Sequence, residues 1–169
     1  EEILRLDNRC REILGYPARF GRLAQPYTME PKPEEHTLHL QFWFESRITV
    51  KNAALAIEDA DKITLTLNGE AVKKEFTGYF TDESIGTIPL PTVPAGDSVL
   101  ELVFPYGERT NIEWCYLLGD FGVRVMGTYV QIVERQEKLG FGDITAQTLP
   151  FYGANVDYHM DVELEEDAE

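Results

Sequence analysis

The chain has only two cysteines, Cys10 and Cys115, in 169 residues. They lie too far apart for a zinc-finger spacing and are too few for a disulfide framework. Each reads instead as a small buried apolar side chain. Basic residues are scarce as well. Fifteen Lys and Arg stand against thirty Asp and Glu, a formal net charge of −15. Binding to a phosphate backbone depends on Lys and Arg releasing counterions, so nucleic acid is excluded as a partner, and an anionic membrane is excluded for the same reason. No apolar run approaches the ~20 residues needed to cross a bilayer as a helix. A Gly-rich phosphate loop, a Gly-x-Ser-x-Gly elbow and a Cys–His pair at a telling spacing are all missing, which leaves nucleotide chemistry and acyl transfer without support. His36 and His39 are three apart, and in a strand that spacing sends them to opposite faces, against a zinc site.

What is present is a globular composition, 43% hydrophobic and 11% aromatic. A chain of this size suits one domain that buries roughly 70% of the surface its unfolded form exposes, with no need of a disulfide or metal. The acidic excess reads as a device for solubility. Part of it is concentrated in the tail from Asp161 to Glu169, which holds six acids and no base. The chain opens at Glu1 with neither Met nor a signal peptide, so it is read as a piece of a larger protein. Its compartment stays unknown, with a reducing one favoured.

Residues 1–14 carry Ile3, Leu6, Cys10, Ile13 and Leu14 at helical spacing, stopped by Gly15 and Pro17. A run punctuated by Pro17, Pro26, Pro31 and Pro33 follows, with Arg19, Phe20, Arg22 and Tyr27; residues 1–35 are read as a helix plus a wrapping segment. From Thr37 the period becomes two, with Leu38, Leu40, Phe42 and Phe44 on one face and Thr37, His39, Gln41, Trp43 and Glu45 on the other. Val50–Glu58 and Lys62–Leu67 are further strands. Asn68-Gly69 supplies the two residues a type I′ hairpin needs, and Glu70–Phe76 returns from it. Tyr79, Phe80, Asp82 and Ser84 fall in a connection, and Ile85–Leu90 is short and extended. Ser98–Phe104 is apolar on both faces and is expected to be central and covered on both sides. Thr128–Val133 is another strand. The last segment alternates Val156, Tyr158, Met160, Val162 and Leu164 with polar residues. Eight or nine short strands with frequent turns read as an all-β antiparallel sandwich or jelly roll over residues 36–164, followed by the acidic tail 165–169.

The unusual residues concentrate between Arg109 and Gly127. Trp114, Tyr116 and Phe121 stand there with Arg109, Asn111, Glu113, Asp120 and the glycines 119, 122 and 127. Sugar sites stack pyranose rings on Trp or Tyr and bond hydroxyls with carboxylates and amides. Trp114 with Glu113, Arg109, Asn111, Tyr116 and Asp120 fits that pattern, and Trp43, on the polar face of its strand, is a second candidate. The competing reading packs Trp114 and Tyr116 under the closing loop and Trp43 against the helix or the Pro-rich wrap. Glycoside hydrolysis would require two carboxylates facing one another; Glu113 with Asp120, or Asp120 with Asp143, are the pairs to consider, against a role for each Asp in bonding turn N–H groups. No cofactor is expected; a calcium ion would have to draw on Asp59, Asp61 or Asp82, and no EF-hand-like spacing exists.

Two stretches resemble a known family. Ile63-Thr-Leu-Thr-Leu-Asn-Gly-Glu70, then Ile88-Pro89-Leu90, then Pro94–Phe104 and Leu117–Val123, resemble in order the galactose-binding-like ("sugar-binding") jelly-roll domain of family 2 type bacterial glycoside hydrolases, over roughly residues 35–133. Leu149-Pro-Phe-Tyr-Gly-Ala-Asn-Val-Asp-Tyr158 resembles the Pro-Phe-Tyr run that opens such domains, with Ala154 where Gly is usual. The resemblance implies a non-catalytic accessory domain that buttresses the catalytic domain of the same parent chain and can bind carbohydrate. A free-standing lectin-like module is the alternative, and an enzyme in its own right is the third reading. On this view the glycines of the 109–127 stretch follow from turn geometry, and Cys115 and Leu117 from core packing.

Overall fold

The computed structural model describes residues 2–19, 28 and 30–163. The predicted helix is α1, Ile3–Leu14. Glu2 opens it, its carboxylate accepting the backbone N–H groups of Leu4 and Arg5, both at 2.9 Å, and Gly15 closes it in the left-handed conformation at φ 71°. The stripe that α1 buries is not the one its apolar residues suggest. Ile3, Asp7 and Arg11, spaced by four, are buried. Leu6, Cys10 and Leu14 are half-buried against the core, and Ile13 is 76% exposed.

Among the described residues ten strands follow: β1 (His36–Ser46), β2 (Ala54–Glu58), β3 (Thr64–Leu67), β4 (Glu70–Ala71), β5 (Gly78–Phe80), β6 (Asp82–Pro89), β7 (Gly96–Tyr106), β8 (Tyr116–Leu118), β9 (Gly122–Met126) and β10 (Tyr129–Val133). They form a six-stranded sheet in the order β4-β3-β7-β1-β10-β9 and a four-stranded sheet in the order β5-β6-β2-β8. All pairings are antiparallel except β1 with β10, where Glu45 lies opposite Gln131 and Ser46 opposite Ile132. The two longest strands pair along their whole length, from His36 opposite Tyr106 to Ser46 opposite Gly96.

Alternation aims one side of each sheet at a shared core. Leu40, Leu65, Leu67, Leu100, Leu102 and Ile132 of the larger sheet meet Leu55, Ile57 and Ile88 of the smaller one, and Ile3 of α1 joins them. A side chain of this kind contributes about 1.5–3 kcal/mol when fully buried, so this shared apolar interior is what joins the two sheets. The described residues are therefore β-rich, with two antiparallel-dominated sheets and one short helix, and α1 packs Ile3 into the same core. Most of the Pro-rich wrap, with Phe20, Arg22, Pro26 and Tyr27, and the tail from residue 164 onward lie outside the described residues.

Four expectations are corrected. The Asn68-Gly69 turn has positive φ at both residues, 53° and 83°, as a type I′ turn requires. Its return strand, however, is only Glu70–Ala71 rather than Glu70–Phe76. Val72 still donates to Leu65 O at 2.9 Å, but Lys73, Lys74 and Glu75 then offer no apolar side chain to hold the edge. The supposed connection at Tyr79–Ser84 is a strand pair, β5 and β6, bent around Thr81 at φ 62° and tightened by Asp82, which accepts from Ser84 N and Oγ. Strand β7 is central, but only one of its faces is fully buried; Val99 and Val103 on the other are half-buried. Residues 155–163 form no strand. Their alternation finds no sheet edge; Tyr158 stacks on Phe141 with ring centroids 4.7 Å apart, while Met160 and Val162 are exposed.

The run before that segment folds back on β9. A 3-10 turn, Ile144–Gln147, is capped by Asp143 and delivers Thr148, whose carbonyl accepts the Val123 N–H at 2.8 Å. This return explains Gly122. A Cβ there would lie 2.5 Å from Thr148 Oγ1 and 3.0 Å from the Glu134 carbonyl, and at Gly119 it would lie 2.8 Å from the Phe121 ring. Close packing, not turn geometry, requires these two glycines; only Gly127, φ 63°, serves a turn. Gly122→Ala is expected to cost about 1–3 kcal/mol in chemical denaturation. Gly153→Ala, where the added methyl meets nothing within 4 Å, should stay within about 0.5 kcal/mol of wild type. Equal stability of the two variants would refute the packing role of Gly122.

Candidate functional site

The stretch that carries the candidate residues is held from beneath by charges buried under α1. Asp7 and Arg11 are both fully buried, with Arg11 Nε 3.1 Å from Asp7 Oδ2. Tyr106, at the end of β7, donates its hydroxyl to Asp7 Oδ1 at 2.6 Å. The remaining guanidinium donors of Arg11 reach backbone carbonyls of the following loop, Glu108 O at 2.9 Å and Thr110 O. Arg19 continues the network. It lies 3.7 Å from Asp7 Oδ2, donates to Ile112 O at 2.7 Å and pairs with the Glu113 carboxylate. Desolvation, with Asp7 beside it, holds the Tyr106 hydroxyl well above its ordinary pKa, so it stays a donor.

Above this base the predicted cluster divides. Arg109, Asn111 and Glu113 line a cleft of about 420 Å³ whose floor includes Leu40 and Phe42 of β1. Trp114 and Tyr116 line a separate, larger groove of about 1290 Å³, bordered on β1 by Trp43, Phe44 and Glu45. Cys115 touches both. Glu113 and Trp114 are consecutive, and their side chains leave the chain toward different hollows, as neighbours in an open chain do. Trp43, which is distant in sequence, joins Trp114 instead.

Neither tryptophan packs away. Trp43 is 71% and Trp114 53% exposed, and Tyr116 is 39% exposed with its ring tilted against Phe80 at 5.2 Å. Trp114 and Tyr116 are therefore not tucked under the closing loop, and no described element covers Trp43; the part of its competing reading that rests on the Pro-rich wrap lies mostly outside the described residues. Phe151 and Tyr152, brought in by the Thr148 return, and Tyr129 on β10 add further exposed rings to the groove. Among the described residues Asp120 accepts from no turn N–H group; it pairs at 3.0 Å with Arg135, which lines the groove. Asp143 does cap a turn, accepting from Thr145 N and Oγ1, and those bonds hold its carboxyl below the usual range. The carboxylate pairs considered for hydrolysis thus have other partners: Glu113 has Arg19, Asp120 has Arg135 and Asp143 has Thr145.

Two of the three calcium candidates are similarly occupied, while Asp61 is bonded only through its backbone carbonyl, by Lys74. Asp59 lies 3.0 Å from Lys62 Nζ, and Asp82 is drawn below its ordinary pKa by Ser84. Among the described residues no three His, Cys, Asp or Glu side chains gather as a metal would need. His39 instead sits 2.9 Å from Glu101. No described helix is long and apolar enough to cross a membrane.

Sequence reasoning assigned no place in the site to Asp7, Arg11, Arg19 and Tyr106, nor to Phe80, Tyr129, Phe151 and Tyr152. The pair Asp7–Arg11 carried a signal, opposite charges four apart on a helix in line with Ile3. The groove aromatics carried no signal of belonging together, since they come from five separate segments: β1, β5, β8 with its flanking loops, β10 and the Thr148 return.

Removing Asp7 leaves the Arg11 guanidinium buried without its ion, so Asp7→Ala should cost about 3–5 kcal/mol in denaturant unfolding. Tyr106→Phe, which removes one hydrogen bond, should cost about 1–3 kcal/mol. If Asp7→Ala is no more damaging than Tyr106→Phe, the ion pair is not what holds α1. Burial pushes the Cys115 thiol up to about 11, so at pH 8 it should carry little thiolate and be alkylated by iodoacetamide far more slowly in the native than in the unfolded chain, as followed by mass spectrometry.

No protein-family model matches the chain, and no curated protein or solved structure shows significant similarity to it.

Proposed function

We propose that the chain is a non-catalytic binding module, a jelly-roll β-sandwich of the galactose-binding-like kind that accompanies glycoside hydrolases, with carbohydrate as its ligand. One observation carries this reading. Trp43 and Trp114, far apart in sequence, are both exposed and border one groove, with Tyr116, Tyr129 and Tyr152 beside them. Flat rings left in water are a costly use of apolar surface unless something covers them. Pyranose rings offer matching apolar faces. Glu45 and the Asp120–Arg135 pair supply acceptors and donors for hydroxyls at the border. Two sheets closed on a single core would hold such a platform rigid, which keeps the ordering cost of binding low.

A second reading has its own support. Leu117, Leu118, Val123 and Val130 also line the groove, and aliphatic side chains suit a protein surface better than a sugar. Under that reading the occupant is the catalytic domain of the same parent chain, and the module is a buttress.

The chain has two tryptophans, and both are at the site, so their emission reports binding directly. Titration with a panel of neutral oligosaccharides, with and without calcium, should shift the emission of the wild type. Trp114→Ala should weaken the best ligand ten-fold or more, about 1.4 kcal/mol, and Trp43→Ala should weaken it as well. If no sugar shifts the emission or releases heat in calorimetry, the carbohydrate reading fails and the buttress reading stands.

A further inference from the structure

The cleft beneath Arg109–Glu113 plays no part in the aromatic groove, and its construction points to a different ligand. Its floor is apolar and comes from both sheets: Leu40 and Phe42 of β1, Leu102 and Phe104 of β7, Ile57 of β2, and Ile63 just before β3. Its volume, about 420 Å³, falls within the roughly 300–1,000 Å³ of small-molecule sites, which combine an apolar lining with a few placed polar groups. The polar wall is lopsided. Its cations are already engaged: Lys62 by Asp59, Lys32 by Glu108, and Arg109 by an interaction of its own. Arg19, close by, is spent on Glu113 and Asp7. Among the lining carboxylates, Glu113 and Asp59 are paired by these same cations, whereas the exposed Glu34 and Glu58, the latter at the end of β2, have neither a side-chain hydrogen bond nor an ion pair among the described residues.

We propose that this cleft is a second binding site that takes a small organic cation, with an ammonium group at Glu58 and an alkyl or aryl body on the apolar floor. Glu34 and Glu58 leave two carboxylates open to solvent and unneutralised by the protein at the edge of an apolar hollow, and of the two it is Glu58 that stands nearest the Glu113 charge, so the hollow offers room for the body of a ligand that brings a cation to it. Desolvation and the nearby Glu113 charge both disfavour ionised Glu58 and raise its pKa; an incoming ammonium relieves both penalties, whereas an anion would add to them. An alcohol of the same length would fill the floor but leave the charge unanswered.

The test uses the full chain with hexylammonium and phenethylammonium as probes and 1-hexanol and hexanoate as matched controls, read by chemical-shift perturbation and calorimetry. Both amines should bind and perturb the amides of Ile57, Glu58 and Ile63. They should bind at least ten-fold more tightly than 1-hexanol, and hexanoate should not bind. Glu58→Gln should bring the amines down to the level of the alcohol. Glu58→Lys should lose the amines and gain hexanoate. Circular dichroism and melting of each variant verify the fold, since Glu58 packs into no core. Absence of amine binding at about 10 mM, amine affinity no better than that of 1-hexanol, or unchanged amine binding in Glu58→Gln would each overturn the assignment.

Discussion

The buried ion pair between Asp7 and Arg11 is the constraint on which the rest of the molecule turns. Two opposite charges four apart on a helix usually sit at the surface and contribute a few tenths of a kcal/mol. Here both are fully buried, where desolvation costs several kcal/mol per ion and is offset only if every donor and acceptor is satisfied. The structure meets that condition by drawing in the Tyr106 hydroxyl, the Glu108 and Thr110 carbonyls, and Arg19. The helix is thereby tied to the end of the central strand β7 and to the loop that leaves it. An apolar contact would tolerate sliding, but a satisfied ionic one fixes position and orientation together.

That fixed loop delivers the candidate residues. Arg11 and Arg19 hold three successive even-numbered positions of it, two by the carbonyls of Glu108 and Thr110 and the third by that of Ile112. With the backbone pinned, Glu113 is set toward Arg19 and Trp114 toward the groove. The two hollows therefore share one wall of chain, and Cys115 sits at the partition with its thiol kept neutral by burial.

Much of the architecture was legible because it rests on period and turn chemistry. The alternation of Leu38–Phe44, the apolar positions Ile63, Leu65 and Leu67, and Asn68-Gly69 each determine their own geometry locally, and each appears where the sequence places it. What was not legible depends on partners remote in the chain. Residues 155–163 alternate as cleanly as β1, yet a strand pattern forms a strand only when an edge is free to receive it, and nothing within the segment states whether one is. The short pieces β5 and β6 erred the other way, since their pairing comes from Asp82 and Thr81 rather than from a familiar hairpin dipeptide. On α1 the eye followed Leu6, Cys10 and Ile13, whereas burial followed Asp7 and Arg11, because a charge reads as solvent-facing until its partners are known.

The same limit governed the site. Clustering by sequence grouped Glu113, Asn111 and Arg109 with Trp114, as though neighbours in the chain were neighbours in space. Folding sorted them by chemistry instead. Charged and amide groups line one cleft, while rings from β1, β5, β10, the loop before β8 and the Thr148 return collect along the groove. Trp43 shows the principle most directly. It stands on the outward face of β1, beside Gln41 and Glu45, where a large ring has no place in a solvent-facing alternation. At 71% exposure it is covered by no described element, and it borders the same groove as Trp114. A residue that breaks its strand's own rule without being buried, rather than a crowd of unusual residues in one loop, is thus the observation on which the proposed binding surface rests.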